Sequence, residues 1–333
     1  MTEPDMNSAG ATHGADRPTS DQAGASIAES NPPGPFSLSR SPDFRRFALA
    51  ILVLLLCFSR PLYDLIRFAL HSDLYSHIVL VPVISLYLGW VKRRSLPPPS
   101  APNRGIALVL LAAGTLALTG YGAAVVAGTE LAREDALALT TFSFVFFFAG
   151  TCSLFLGRQT LAAIAFPLGF LVFMAPLPAF FERGIETLLQ YGSAGMALTL
   201  FKLSGTPVFY QDLVFKLQTI SLEVAPQCSG IHSSLALFIT SLLAGYLFLH
   251  TTWKRIVLAL LIIPLAVLRN GVRIFTIGEL CVHLGPDMIN SYIHRHGGPV
   301  FFALSLIPLF LVLGWLIRSD RANLKTPAKP LVT

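Results

Sequence analysis

Residues 254–284 read KRIVLALLIIPLAVLRNGVRIFTIGELCVHL. An apolar helix that starts at Ile256 and climbs through Arg273 to about Leu284 is long enough to cross a bilayer, which takes roughly 20 residues. Lys254 and Arg255 hold its start in the cytoplasm, because cytoplasmic loops are enriched in Lys and Arg. Arg269 and Arg273 lie four residues apart and share one helix face. A charge inside an apolar helix is costly and faces a polar cavity or a partner as a rule. Snorkelling toward the outer headgroups is the competing reading. Two arginines and Asn270 nevertheless stand on the wrong side for the charge rule, placed for an anionic group.

The rest of the 333 residues repeats this pattern. The chain is 53% hydrophobic and only 13% charged, with a mean hydropathy of +0.65, against about 25% charged residues in a soluble domain. A polytopic, all-α membrane protein follows. The net charge of +6 is no nucleic-acid signature, since its basic residues sit in short clusters beside apolar runs. Cys57, Cys152, Cys228 and Cys281 form no CxxC pair, and a disulfide framework is not expected. Residues 1 to about 43 have the composition of a disordered tail. The first apolar run follows Arg45 and Arg46 and belongs to the mature chain.

About eight spans are expected: near 47–62, 78–91, 106–126, 136–156, 161–175, 230–249, 256–284 and 299–317. Alternation places Arg45/Arg46, Lys92 to Arg94, Arg158, Lys254/Arg255 and Arg318 to Lys325 on one side. Both termini are then cytoplasmic. The membrane core is bounded at 44–318, between cytoplasmic tails at 1–43 and 319–333. An extracytoplasmic insert, 177–228, begins with an amphipathic, interfacial helical pattern over Phe180 to Leu203. The segment GTPVFYQDLVFKLQTISLEV (205–224) then reads as a short β-hairpin, two or three strands long.

Cys228 ends the insert in EVAPQCSGIHSSLALF (223–238), ahead of Ser229, Gly230 and an apolar helix. A thiol at a helix start meets unsatisfied amides and the positive end of the dipole, which lower its pKa; inert filling at the interface is the alternative. His294 and His296, in SYIHRHGGPVFF (291–302), are either general-base candidates or exposed loop histidines. Topology brings cysteine, arginine and histidine to one face at the ends of successive spans, a nucleophile with its base and a cation for developing charge. A metal held by Glu279, His283, His294 and His296 is disfavoured, because no HExxH motif is present.

The stretches DLYSHIVLVPVISLYLGWVKRR, VAPQCSGIHSSLAL, NGVRI and HRHGGPVFF, in that order, resemble the successive motifs of the exosortase/archaeosortase family, over about residues 60 to 317. The resemblance implies an integral membrane cysteine protease and transpeptidase in a bacterial plasma membrane, with its site on the extracytoplasmic face. Its partners would be exported proteins ending in a PEP-CTERM-like sorting signal: a short motif, one transmembrane helix and a basic tail. It carries the catalytic roles to Cys228, Arg273 and His294, with Gly298 four residues beyond the histidine. His296 competes for the base role, and Arg269, Asn270, Ser229 and Gly230 are accessory candidates. No cofactor and no nucleic acid are implied. Two other classes compete: a transporter whose arginines bind an anionic solute, and a non-catalytic component of envelope polysaccharide assembly.

Overall fold

Helices form where the apolar runs lie in the computed structural model, which describes residues 42–97, 101–290 and 298–325. The amino-terminal tail up to residue 41, the chain end from 326, and His294 and His296 lie outside the described residues. The first helices are α1 (Pro42–Cys57), α2 (Ser59–Leu70), α3 (Leu80–Lys92), α4 (Arg104–Val126), α5 (Arg133–Ala163) and α6 (Ala165–Phe170). After them come α7 (Ala179–Ser204), α8 (Ile231–Phe248), α9 (Thr252–Leu260), α10 (Ile262–Leu284) and α11 (Gly298–Lys325).

Among these residues, five helical stretches are long and apolar enough to cross a membrane, or up to seven if each of two bent pairs is one span. The expected count of eight is not reproduced. The second expected span contains only the 13 residues of α3, between 3₁₀ turns at Ser76–Val79 and Arg93–Ser95. The fifth is divided: α5 reaches Ala163 across a break at Gly157 (φ 75°), and α6 with the turn Leu171–Met174 meets α7 at 88°. α1 and α2 likewise meet at 62°.

The helix ends sort by charge. Lys92 donates to the Ala163 carbonyl at 3.1 Å, and Lys92 and Arg255 both lie over the Tyr246 ring, at 5.1 and 5.7 Å. Two basic segments of the sequence, at Lys92 and Arg255, therefore converge on one end of the bundle, beside the end of α5. The 18 residues of α8 rise about 27 Å, so the start of α8, beside Cys228, lies at the other end.

α7 spans the amphipathic stretch expected there, and its Ala194, Ala197 and Phe201 are buried against Ile274, Ile277 and Cys281 of α10. Gly271 makes this approach possible, since a Cβ there would lie 2.6 Å from Met196 Cβ. The hairpin is extended by a third strand: β1 (Phe209–Gln211), β2 (Val214–Lys216) and β3 (Ser221–Glu223) form one antiparallel sheet in that order. Its two-residue turn puts Asp212 and Leu213 at φ 46° and 65°, the primed geometry that matches strand twist. Alternation sends Phe215 and Leu222 into the α7–α10 core and leaves Ser221 and Glu223 exposed.

Candidate active site

The chain leaves β3 through Val224, whose carbonyl accepts a hydrogen bond from Gln190 of α7. Pro226 opens a single 3₁₀ turn, Pro226–Cys228, in which the Cys228 N–H donates to the Ala225 carbonyl at 2.8 Å. Gly230 then turns left-handed (φ 77°, ψ 17°) and caps α8. Cys228 thus stands in its own turn before the cap, half-buried, rather than in the first turn of the long helix.

α10 fastens this turn carbonyl by carbonyl. Asn270 Nδ2 donates to the Cys228 carbonyl at 2.7 Å and to that of Ser229 at 3.2 Å. Arg269 Nη2 donates to the Gly230 carbonyl at 3.0 Å and to Ser234 Oγ at 3.2 Å. A Cβ on Gly230 would lie 2.8 Å from Arg269 Nη2 and 3.2 Å from Asn270. Glycine is therefore demanded twice, by its backbone angle and by close approach. Ser229 is 1% exposed, and its Oγ accepts from the Ile231 N–H at 3.4 Å.

Cys228, Asn270 and Arg273 line one small cavity of about 40 Å³, walled by Leu222, Glu223 and Val224 of the insert and by Ile274 and Ile277 of α10. The nucleophile and cation candidates, 45 positions apart in the chain, thus face a common space. Arg269 is elsewhere, 7% exposed behind Gly230, and its Nη1 has no hydrogen-bond partner among the described residues. The third member expected of the constellation, His294, and its competitor His296 lie outside the described residues. Glu279 and His283 engage each other at 3.1 Å, with Ser204 and Thr206 hydroxyls on the same carboxylate.

Three features of this neighbourhood escape sequence reasoning. Glu223 lies at the cavity wall with its neighbours Leu222 and Val224, at the end of β3, a placement that depends on the register of the sheet. Tyr75 donates to Glu182 at 2.7 Å, tying the loop before α3 to the first turn of α7. Burial and that carboxylate push the Tyr75 phenol far above its ordinary range. His77, two residues on, is pushed below its ordinary 6.5 by burial, against its contact with the Leu74 carbonyl, and the charge of His232 in the first turn of α8 lowers it further. No sequence signal joins these pairs.

A model of the family described as transmembrane exosortase (Exosortase_EpsH) matches residues 68–311, which include the Cys228 turn, the whole of α10 and most of the bundle. No curated protein matches the chain. No solved structure matches it either.

Proposed function

Because the chain belongs to the transmembrane exosortase family, we propose that it is a membrane-embedded cysteine transpeptidase that cleaves C-terminal sorting signals from exported proteins. The observation carrying this reading is the cavity shared by Cys228 and Arg273, with Asn270 fixing the cysteine's own carbonyl. The Cys228 thiol passes its proton to His294 and its sulfur attacks the peptide carbonyl of the sorting motif. The electron pair of that carbonyl moves onto oxygen beside Arg273. Collapse breaks the C–N bond, and the imidazolium returns its proton to the departing amine. A thioester remains, and water or an amine attacks it and releases the thiol. Arg273 favours the tetrahedral oxyanion over the neutral ground state, a difference that accelerates the step.

The site lies at the end of the bundle opposite the Lys92–Arg255 cluster, so the excess of cytoplasmic Lys and Arg gives it the extracytoplasmic face and leaves both termini in the cytoplasm. A substrate helix held in the bilayer then presents its motif at that face.

Co-expression with a protein bearing such a tail tests the proposal. Cys228→Ala and Cys228→Ser abolish processing, whereas Cys57→Ala, Cys152→Ala and Cys281→Ala leave it intact, as read by the substrate's shift on a gel. Arg273→Gln lowers the rate by about 10²–10³, the cost of losing one oxyanion donor. Full processing by Cys228→Ala would sink the enzymatic reading.

A further inference from the structure

A second concavity lies away from Cys228, where the end of α2 meets the start of α5. It encloses about 520 Å³ and is lined by Arg67, Phe68, His71, Ser72 and Arg133. Among the described residues no carboxylate lines it. Two carboxylates adjoin its lining in sequence, Asp73 after Ser72 and Glu134 after Arg133. The field of Glu134 acts on Tyr75, and the next, Asp135, accepts the Ala179 N–H at 2.8 Å. The basic groups are held in place. Arg133 stacks over the Phe68 ring at 5.3 Å, and the His71 ring bonds through Nδ1 to the Arg67 carbonyl at 2.8 Å. A carbonyl only accepts, so Nδ1 carries the proton.

The helix that supplies most of this wall is amphiphilic on its exposed side. Leu65 and Ala69 of α2 are each 1% exposed and face the core. Tyr63, Ile66 and Leu70, at spacings of three and four, form an exposed apolar row at 63%, 47% and 69%. Arg67 and His71 occupy the adjacent row. An apolar strip therefore runs directly beside a pocket with two guanidiniums, on a helix bent 62° out of the line of α1. A free anion would use the pocket and leave the strip idle; a zwitterionic headgroup would use the strip and gain little from two arginines. A bidentate guanidinium pair suits phosphate oxygens.

We propose that this pocket binds the phosphate of an anionic phospholipid, with the acyl chain lying along Tyr63, Ile66 and Leu70. The site is independent of the proposed peptide chemistry at Cys228. A bound lipid there clamps the end of α2 to the start of α5.

The test is lipid retention by the full chain purified in detergent, read by native mass spectrometry with phosphatidylglycerol or phosphatidylcholine of identical chains. The wild type retains phosphatidylglycerol in preference. Arg67→Gln/Arg133→Gln lowers that preference about thirtyfold, the effect of two cations near an anionic headgroup. Arg67→Lys/Arg133→Lys keeps most of it, and Arg60→Gln, on α2 but outside the pocket, keeps all of it. Single Arg133→Gln covers the case in which the double variant fails to fold. Equal retention of the two lipids by the wild type overturns the proposal, as does an unchanged preference in folded Arg133→Gln and in the double variant. Displacement of the lipid by millimolar inorganic phosphate overturns the lipid assignment in favour of a free-anion site.

Discussion

Asn270 holds two consecutive carbonyls with one amide group, so its nitrogen matters rather than its polarity. Asn270→Ala leaves both acceptors short of a donor in a buried place, at a cost of about 1–3 kcal/mol. Asn270→Asp turns an acceptor toward two acceptors and is worse than alanine despite its closer shape. Thermal unfolding in detergent should rank wild type above Asn270→Ala above Asn270→Asp; an aspartate variant as stable as alanine would show that the contact is not a donor clamp. His77 permits a pH prediction of definite sign. Burial lowers its folded pKa below the unfolded 6.5, so the unfolded chain takes up the proton first. The stability from the neutral ring is complete above 6.5 and is lost as the pH falls from there toward the folded value. Wild type should therefore lose more in melting temperature between pH 8 and pH 5.5 than His77→Asn, and equal losses would remove His77 from the account. Arg273 stood out in the sequence because a charged group in an apolar helix is costly, and Cys228 because it stands at an element boundary, ahead of Ser229 and Gly230. Asn270 was legible only as polar. Its acceptors lie 42 and 41 residues away, and no local pattern encodes that pairing.

Between elements, α10 carries Arg273 and clamps the Cys228 turn through Asn270, and it packs closely against α7. Gly192 meets Val267, and Gly271 meets Met196, so the two helices run the same way with their backbones close. Gly271 sits between Asn270 and Arg273, and one motif thus clamps the cysteine turn, admits α7 and supplies the cation. Gly271→Val inserts a branched side chain where even a Cβ would be 2.6 Å from Met196. Overpacking costs about 1–3 kcal/mol, and processing should fall further than stability because Arg273 shifts with its helix. Gly271→Val combined with Met196→Ala makes room and should restore much of both; no rescue would mean that the glycine is needed for something other than close approach. Elements of this kind were partly legible. Apolar length foretold α4, α5, α8 and α10, and β-branched and aromatic residues foretold the strands. The end of the fifth span near Ala175 was legible too, but the bend at Phe58 was not, since a long apolar run reads alike whether straight or folded back by its neighbours.

At the scale of the whole molecule, the end of the bundle opposite Cys228 is fastened by one buried ion pair. Lys254 is fully buried and lies 3.1 Å from Asp320, which is 3% exposed and also accepts from the His250 N–H at 2.7 Å and from Thr251 Oγ1. The α8–α9 turn is thereby locked to the last part of α11, while Leu237, Leu258, Leu309 and Leu313 fill the space between these helices. α11 begins at Gly298, directly after the segment that carries His294 and His296. A rigid helix passes displacement along its axis, so the lock bears on where α11 begins, at Gly298. Lys254→Met leaves the Asp320 carboxylate buried without its cation, and an orphaned buried charge is more harmful than an absent pair. Lys254→Met should therefore lower both melting temperature and processing, although it lies about a full helix length from Cys228. Lys254→Met/Asp320→Leu should recover most of the stability through apolar packing. If the lock also sets the register of α11, processing in this double variant stays below wild type while its melting temperature does not. Recovery of both together would limit the ion pair to stability.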